Sequence, residues 1–148
     1  MSRAFVKETA NDAPPPERMV TEGPNLVTPE GAQQIAREVA RLEAALKAGP
    51  DVLLRETLER DLRYWAVRQA SAEIVPKAAG DAIAFGSRVS LRRGGRVQTF
   101  RIVGEDEADP AKGLVNIRAP LVASILGAEP GETIETPSGE IEILTVEN

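Results

Sequence analysis

Carboxylates and lysines are the only side chains through which this sequence offers acid–base chemistry. The 148-residue chain contains no histidine and no cysteine, which excludes zinc sites, Ser-His-Asp triads and Cys-His pairs. Its densest acidic string is Glu105-Asp106-Glu107-Ala108-Asp109. Oxygen-rich side chains of this kind suit a hard cation or the basic surface of another protein. We expect no catalytic residue, no resident metal and no cofactor, and we expect that the chain is not an enzyme.

The overall charge and the hydropathy pattern narrow the classes of partner. A formal net charge of −5 argues against nucleic acid as the main partner, because that role requires a basic face. No apolar run approaches the roughly 18–20 residues that span a membrane, and the N-terminus lacks the apolar core of a signal peptide. We therefore expect a cytoplasmic protein with no direct sequence-specific nucleic-acid binding and no membrane contact.

Residues 27–76 have the pattern of two helices folded back on each other as an antiparallel coiled-coil hairpin. Apolar residues at spacings of four and three predict one narrow seam on each helix. The seam residues are Ile35, Val39, Leu42 and Leu46 in the first helix, and Leu58, Leu62 and Trp65 in the second. Thr28 is a good N-cap for the first helix, and Asp51 is a candidate cap for the second. Gly49-Pro50 marks the tip, and we expect the second helix to end near Val75.

The first 26 residues differ from this hairpin in composition. They hold a Pro-Pro-Pro run, a Gly-Pro pair and several charges without an apolar period. This composition predicts a flexible N-terminal arm over residues 1–26, because it cannot bury enough surface to offset the entropy of ordering. Its apolar island, Ala4-Phe5-Val6, has two interpretations. It is a cluster that docks weakly on the chain's own domain, or it is a linear motif that binds a partner.

The pattern changes again after the hairpin. Residues 77–82 have the composition of a linker. Residues 83–148 predict a small α+β domain, in which one helix packs on an antiparallel, half-exposed sheet of about five strands. Two alternating strands flank Gly94-Gly95, which is a strong hairpin signal. The predicted helix has Pro120 near its start and Gly127 at its end.

Several strings in the chain resemble one protein family in their order and spacing. They are Phe85-Gly86-Ser87-Arg88-Val89, Phe100-Arg101-Ile102-Val103-Gly104-Glu105-Asp106-Glu107-Ala108-Asp109, Ala119-Pro120-Leu121 with Ile125-Leu126-Gly127, and Thr136-Pro137-Ser138-Gly139-Glu140. The helix start Val27-Thr28-Pro29-Glu30-Gly31 and the pair Arg63-Tyr64 belong to the same pattern. Together they resemble the GreA/GreB transcription elongation factors over about residues 28–148.

The resemblance implies an FKBP-like fold for residues 83–148, docked on the rim of the secondary channel of bacterial RNA polymerase with the coiled coil pointing into the channel. The residues that it implies for this docking are Asp106, Glu107, Asp109, Pro120 and Leu121. In many relatives a serine precedes this proline, where the present chain has Ala119. In GreA and GreB the hairpin tip carries an acidic motif, Asp-Leu-Lys-Glu-Asn or a near variant. Its two carboxylates help to hold a second Mg²⁺ while backtracked RNA is hydrolysed.

This chain departs from the family pattern at the hairpin tip. Its only similar string, Asp61-Leu62-Arg63, continues with Tyr64-Trp65 and belongs to the helix body. Aligning Arg63-Tyr64 with the family's second helix leaves each arm shorter by roughly ten residues, or ~15 Å. Carboxylates bind metals at about 2–2.5 Å, so such a tip does not reach the polymerase metal. The residues near the tip that remain for contact are Lys47, Asp51, Arg55 and Glu56.

These observations favour an RNA polymerase-binding factor that acts at the secondary channel and regulates elongation without stimulating transcript cleavage. It resembles the short-hairpin relatives named as regulators of nucleoside diphosphate kinase. One alternative is a GreA/GreB-type factor that stimulates cleavage of backtracked RNA. A second is a peptidyl-prolyl isomerase, although that activity needs an aromatic-lined pocket and no aromatic residue follows Phe100. The third is a binding module for another protein.

Overall fold

The computed structural model describes residues 13–148, and the Ala4-Phe5-Val6 island lies outside the described residues. By its contacts the described chain divides into two compact units. The helical unit contains residues 13–23 and Ile35–Ser71, and the sheet unit contains Pro24–Gln34 and Ala72–Asn148. Within residues 13–148, no helix has both the length and the apolar character that crossing a membrane requires.

The two helices of the hairpin are α1, Pro29–Lys47, and α2, Val52–Ser71. Their apolar seams are shielded from solvent, as the spacing of four and three residues predicts. The buried seam residues are Ile35, Val39, Leu42 and Leu58, and the half-buried ones are Leu46, Leu62 and Trp65. The charged residues between them are mostly exposed. The predicted seam on each helix is therefore confirmed.

Both predicted helix caps are confirmed by hydrogen bonds. The Gly31 N–H donates to Thr28 Oγ1 over 3.0 Å, and the Leu54 N–H donates to Asp51 Oδ1 over 2.9 Å. Each bond satisfies one of the backbone donors that the first turn of a helix leaves without an intrahelical acceptor. Gly49 has a φ of 73°, the left-handed conformation that glycine adopts most readily after a helix end.

The end of α2 differs from the sequence-based expectation. The helix stops at Ser71 and not near Val75, because the following residues form a strand, β2, over Ala72–Ile74. This strand pairs in parallel with β1, Asn25–Val27, and the Val75 N–H donates to the last carbonyl of β1 over 3.0 Å. Proline at the next position also disfavours a helical conformation for Val75. The hairpin is thus bounded by a short parallel ladder.

The sheet unit contains a second, five-stranded sheet. Its strands are β3 (Arg88–Arg93), β4 (Arg96–Val103), β5 (Leu114–Asn116), β6 (Thr133–Thr136) and β7 (Gly139–Glu147), in the spatial order β5-β4-β3-β7-β6. Three of the four neighbouring pairs are antiparallel, but β5 runs parallel to β4. The expectation of a purely antiparallel sheet is therefore wrong for β5. The acidic segment between β4 and β5 crosses over and returns the chain in the direction in which β4 runs.

Local signals explain the β3–β4 hairpin and the short helix α3, Pro120–Ile125. Gly94 and Gly95 have φ values of 57° and 74°, the positive values that a tight two-residue hairpin turn demands. α3 buries Val122 and Ile125 completely against the sheet. The core around them consists of Ile83, Phe85, Val89, Leu91, Phe100, Ile102, Ala128, Ile141 and Ile143. This packed core gives the sheet unit a rigid base for its surface loops.

Candidate functional site

The acidic loop between β4 and β5 is built from two single turns of 3₁₀ helix, Glu105–Glu107 and Pro110–Lys112. Asp109 joins them to β5, since its backbone N–H and carbonyl both bond to the backbone of Leu114 over 2.9 and 3.1 Å. Its carboxylate lies 3.9 Å from Lys112 Nζ. Asp106 and Asp109 are both half-buried, so part of each side chain faces solvent. The loop is an ordered, partly exposed acidic surface.

Glu107 differs from its acidic neighbours because it is buried, with 8% of its surface exposed. Its Oε2 accepts the backbone N–H groups of Thr28 and Gly104, each over 3.0 Å, and its Oε1 accepts the Thr28 hydroxyl. A Cβ placed on Gly31 would lie 2.2 Å from the Glu107 carboxyl carbon, so only glycine leaves room for this carboxylate. Contact with a partner would have to break these bonds. We therefore assign Glu107 an internal positioning role at the start of α1.

Pro120 and Leu121 line an open groove of about 270 Å³ in the sheet unit. Arg93, from the end of β3, forms another part of its wall, and hydroxyl groups from Thr136 and Ser138 lie along the β6–β7 side. The groove thus combines apolar surface, one guanidinium and several hydrogen-bonding groups, a combination that suits a protein segment with a carboxylate beside an apolar side chain. The family resemblance implies the proline and the leucine as docking residues but does not imply Arg93.

The turn between β3 and β4 is cationic, although the whole chain is acidic. Arg92 donates to a Glu142 carboxylate oxygen over 2.8 Å. Arg93 and Arg96 are exposed and form no ion pair with another residue of the 13–148 range. Two arginines beside Gly94-Gly95, Arg93 and Arg96, therefore present positive charge, and Arg93 also lines the groove. In the sequence this cationic turn is visible as Arg-Arg-Gly-Gly-Arg, a string that also indicates the β3–β4 hairpin.

The groups near the hairpin tip have mostly local functions. The Asp51 carboxylate caps α2, and the Arg55 Nη2 donates to the Pro50 carbonyl over 3.4 Å. Glu56 is half-buried, and its Oε2 is enclosed without a hydrogen-bond partner. Lys47 is exposed at the last position of α1. In the described part of the chain, no three His, Cys, Asp or Glu side chains are grouped so that they could hold a metal ion.

The first turn of α2 adds an apolar feature to the tip. Val52, Leu53 and Leu54 are exposed at 70%, 51% and 50%, directly after the capping aspartate. A solvated helix start usually carries polar residues here, so three consecutive aliphatic side chains are a distinctive surface. The tip therefore presents aliphatic surface where the resemblance leads one to expect a free acidic pair.

Comparison with known proteins places these features in context. The sequence profile described as "Transcription elongation factor, GreA/GreB, C-term" matches residues 77–148. The chain is 32% identical over 161 aligned positions to transcription elongation factor GreB of Neisseria meningitidis serogroup A, covering 87% of this chain and 97% of the relative. It is 29% identical to transcription elongation factor GreA of Alkalilimnicola ehrlichii, covering 82% of this chain and 94% of the relative.

Among solved structures, the chain is similar to GreA factor homolog 1 (Gfh1) of Thermus thermophilus. The sequence identity is 21%, the TM-score is 0.39, and the match covers 85% of this chain and all of the Gfh1 chain. A TM-score this low does not establish a shared arrangement, so this likeness adds nothing to the sequence comparison.

The alignments also show that this chain is shorter than its relatives. The 87% of the chain that matches the Neisseria GreB is about 129 residues, so about 32 of the 161 aligned positions have no counterpart here. The same arithmetic for the Alkalilimnicola GreA gives about 121 residues against 149 aligned positions, a difference of about 28. Both relatives are thus longer by a similar amount within the aligned region.

One expectation from the sequence needs correction. We expected that the chain is not an enzyme. This expectation is contradicted by the relatives of the chain, which are named transcription elongation factors GreA and GreB. The resemblance described above connects these factors with stimulation of RNA cleavage by RNA polymerase, in which they serve as factors of the polymerase and are not themselves the enzyme.

Proposed function

The chain belongs to the GreA/GreB family of transcription elongation factors, and we propose that it acts in the cytoplasm at the secondary channel of bacterial RNA polymerase. The observation that carries this proposal is the 32% identity over 87% of the chain and 97% of a GreB. The profile match over residues 77–148 supports it, because that range contains most of the sheet unit. We also propose that the fold of this unit is FKBP-like in detail.

The proposed docking surface consists of the groove around Pro120 and Leu121 together with the exposed parts of Asp106 and Asp109. Arg93 adds a cation at the groove wall. A rim of charges around a small apolar centre is typical of protein–protein interfaces, in which the charges fix orientation and the apolar centre supplies affinity. The proposed partner surface therefore carries both basic residues, for the acidic loop, and a carboxylate, for Arg93.

Docking is tested by measuring the affinity of the full-length protein for RNA polymerase core enzyme. Arg93→Glu places a like charge opposite the expected carboxylate, and we expect binding at least tenfold weaker, about 1.4 kcal/mol. Glu129→Gln, an exposed position of the same unit, is the matched control and should bind like the wild type. Equal affinity of Arg93→Glu and the wild type would remove Arg93 and its groove from the proposed interface.

We further propose that the hairpin regulates elongation without stimulating transcript cleavage. The Asp51 carboxylate is already used as a helix cap, and the surface beside it is aliphatic. About 32 positions of the alignment with the Neisseria GreB have no counterpart in this chain. If they are shared equally between the two helices, each arm is shorter than in that relative by roughly 16 residues, or about 24 Å at 1.5 Å per residue. Metal–carboxylate bonds are about 2–2.5 Å long, so a deficit of this size takes the tip out of reach of the catalytic metal.

The alternative is a factor that stimulates cleavage of backtracked RNA. Two observations favour it. The relatives are GreA and GreB factors, and the two carboxylates of Asp51 and Glu56 are still present near the tip. In that case the cap bond to Asp51 would have to open when the protein binds polymerase, because the same oxygen cannot serve the helix N–H and a metal equally well.

Backtracked elongation complexes distinguish the two functions. The full-length protein is added with Mg²⁺, and the length of the RNA 3′ end is followed with time, with a cleavage-competent GreB as positive control. We expect no acceleration over polymerase alone, together with inhibition of GreB-stimulated cleavage by competition for the channel. Accelerated shortening that disappears in Asp51→Asn and Glu56→Gln would establish the cleavage-stimulating alternative instead.

A further inference from the structure

A short segment that precedes β1 lies along α2 within the helical unit. Residues Pro14–Val20 form neither helix nor strand, and they contact α2 through two consecutive charged residues, Glu17 and Arg18. Arg63 donates to the Glu17 carboxylate through Nε, over 3.0 and 3.2 Å, and through Nη2. The guanidinium thus donates to the carboxylate through two nitrogens, Nε and Nη2. Such two-point contacts make arginine–carboxylate pairs directional and specific.

Arg18 is held beside this pair by a carboxylate and two aromatic rings. Its Nη1 lies 3.5 Å from Asp61 Oδ1, and its guanidinium carbon lies 3.9 Å from the centre of the Tyr64 ring and 5.6 Å from the centre of the Trp65 ring. The two rings are 5.2 Å apart and nearly perpendicular, at 89°. A cation within about 6 Å of an aromatic ring is attracted by its quadrupole. Tyr64 and Trp65 are the only tyrosine and the only tryptophan of the chain.

The attachment of this segment is specific but weak. The Glu17 and Arg63 side chains are 62% and 56% exposed, so water and salt screen their attraction. Met19 is 92% exposed and Val20 is 39% exposed, so apolar burial does not fasten the segment. The preceding Pro14-Pro15-Pro16 run restricts the backbone to extended conformations, which lowers the entropy lost when the segment attaches. These are the properties of a contact that can form and release.

We propose that Pro14–Val20 is a detachable strap, and that it competes with RNA polymerase for the α2 surface made of Asp61, Arg63, Tyr64 and Trp65. This inference rests on the proposed function, in which the hairpin enters the polymerase. The surface binds a carboxylate at Arg63 and a guanidinium between the aromatic rings and Asp61. It therefore fits an extended protein segment with adjacent acidic and arginine side chains, and the strap occupies it as an intramolecular ligand.

The strap is tested first without polymerase, through the fluorescence of Trp65. Release of Arg18 exposes the indole to more water, so we expect a red shift of its emission in Arg18→Ala and in Glu17→Arg. Raising the salt concentration from about 0.1 M to about 1 M, which shortens the Debye length from roughly 10 Å to 3 Å, should shift the wild type in the same direction. The double variant Glu17→Arg/Arg63→Glu restores an ion pair of reversed polarity and should return the emission towards the wild-type position.

The second measurement is the affinity for RNA polymerase core enzyme. Glu17→Arg should bind roughly fivefold to tenfold more tightly than the wild type, and a peptide of residues 13–21 added in excess should reduce this gain. The Glu17→Arg/Arg63→Glu variant should lose the gain of Glu17→Arg, because the strap contact forms again and the surface no longer offers the Arg63 guanidinium. Arg37→Ala, an exposed arginine of α1, is the matched control and should bind like the wild type. If the release variants show the fluorescence shift but bind no more tightly, competition is refuted and the strap only stabilises the hairpin.

The two proposals fail in different ways. If neither the wild type nor any variant binds polymerase, the proposed function is wrong, while the fluorescence still reports whether the strap exists. If the wild type binds polymerase and its Trp65 emission is unchanged by Arg18→Ala, Glu17→Arg and salt, the strap itself is refuted and the proposed function stands.

Discussion

The carboxylate of Glu107 accepts the backbone N–H of Thr28 over 3.0 Å, across 79 positions of the chain. The same residue, Thr28, caps α1 with its hydroxyl oxygen by accepting the Gly31 N–H. One threonine therefore connects the start of the first helix to the acidic loop of the sheet unit. Because Glu107 also accepts the Gly104 N–H, its side chain fixes both ends of this connection.

Replacing Glu107 with alanine should destabilise the protein by about 2–3 kcal/mol, because three buried donors then lose their acceptor. Glu107→Gln keeps one acceptor oxygen and should lose less. The free energy of unfolding is measured by urea titration of the full-length protein. Glu129→Gln, at an exposed position, is the control and should change stability by less than about 0.5 kcal/mol. A Glu107→Ala variant as stable as that control would contradict the positioning role.

Gly31→Ala should also be destabilising, although alanine is better than glycine in a helix by roughly 1 kcal/mol. The reason is steric, since the new Cβ would lie 2.2 Å from the Glu107 carboxyl carbon. In Gly31→Ala/Glu107→Ala this clash is absent, so the double variant should be more stable than the sum of the two single losses implies. Simple additivity in the urea midpoints would show that the carboxylate does not require the glycine.

Asp51→Ala should reduce stability by about 1 kcal/mol, because the Leu54 N–H loses its capping acceptor. Asp51→Ser retains a capping oxygen and should recover most of that loss. Comparing the two variants separates the effect of the capping hydrogen bond from the effect of the negative charge, because serine can cap the helix but carries no charge. Thermal unfolding followed by circular dichroism gives both values, and equal losses in the two variants would indicate that the charge matters more than the cap.

The strap contact should weaken in acid. The side-chain hydrogen bond from Arg63 lowers the pKa of Glu17 below its ordinary value of 4.5, with smaller contributions from the charges of Arg63 and Arg60 and an opposing one from desolvation. A lowered pKa means that the contact is fully present above about pH 4.5 and is lost as the pH falls through the lowered value. Trp65 emission should therefore shift red below about pH 4.5 in the wild type, before the far-ultraviolet circular dichroism changes.

The control for this pH dependence is Glu17→Gln, which has no carboxyl group to titrate at that position. Its Trp65 emission should already be red-shifted at neutral pH, and it should lack the early acid transition. An acid transition of equal size in wild type and variant would show that Glu17 is not the group responsible.

The parts of the fold that follow from local chemistry were predictable from the sequence. The caps at Thr28 and Asp51, the apolar seams, and the Gly94-Gly95 turn each depend on a few neighbouring residues. The β1–β2 ladder and the parallel pairing of β5 were not predictable in this way. β1, β2 and β5 are only three residues long, so sequence periodicity has too few positions to show them. Both pairings are parallel, so no tight hairpin turn marks them in the sequence either.

The candidate site likewise contains some residues that the sequence indicated and others that only the structure shows. The family resemblance implies Pro120 and Leu121, and both line a groove. Arg93 beside them was not predictable, because its string also encodes a turn. Glu107 lies in an acidic string that resembles a solvated loop, and only its distant contact with Thr28 shows that it is internal. The strap was not predictable from the sequence, because a proline-rich, charged segment has the composition of a disordered arm, and two specific side-chain contacts leave no period in the sequence.

The β1–β2 ladder has a consequence for how this kind of protein can diversify. The chain leaves the sheet unit after Gln34 and re-enters it at Ala72, and β1 and β2, which flank this excursion, are held in one parallel register. Residues added to or removed from α1 and α2 in equal number leave that register unaltered. Insertions and deletions can therefore change the length of the two helices while the fold of the sheet unit stays constant. The same sheet unit can thus carry helical hairpins of different lengths.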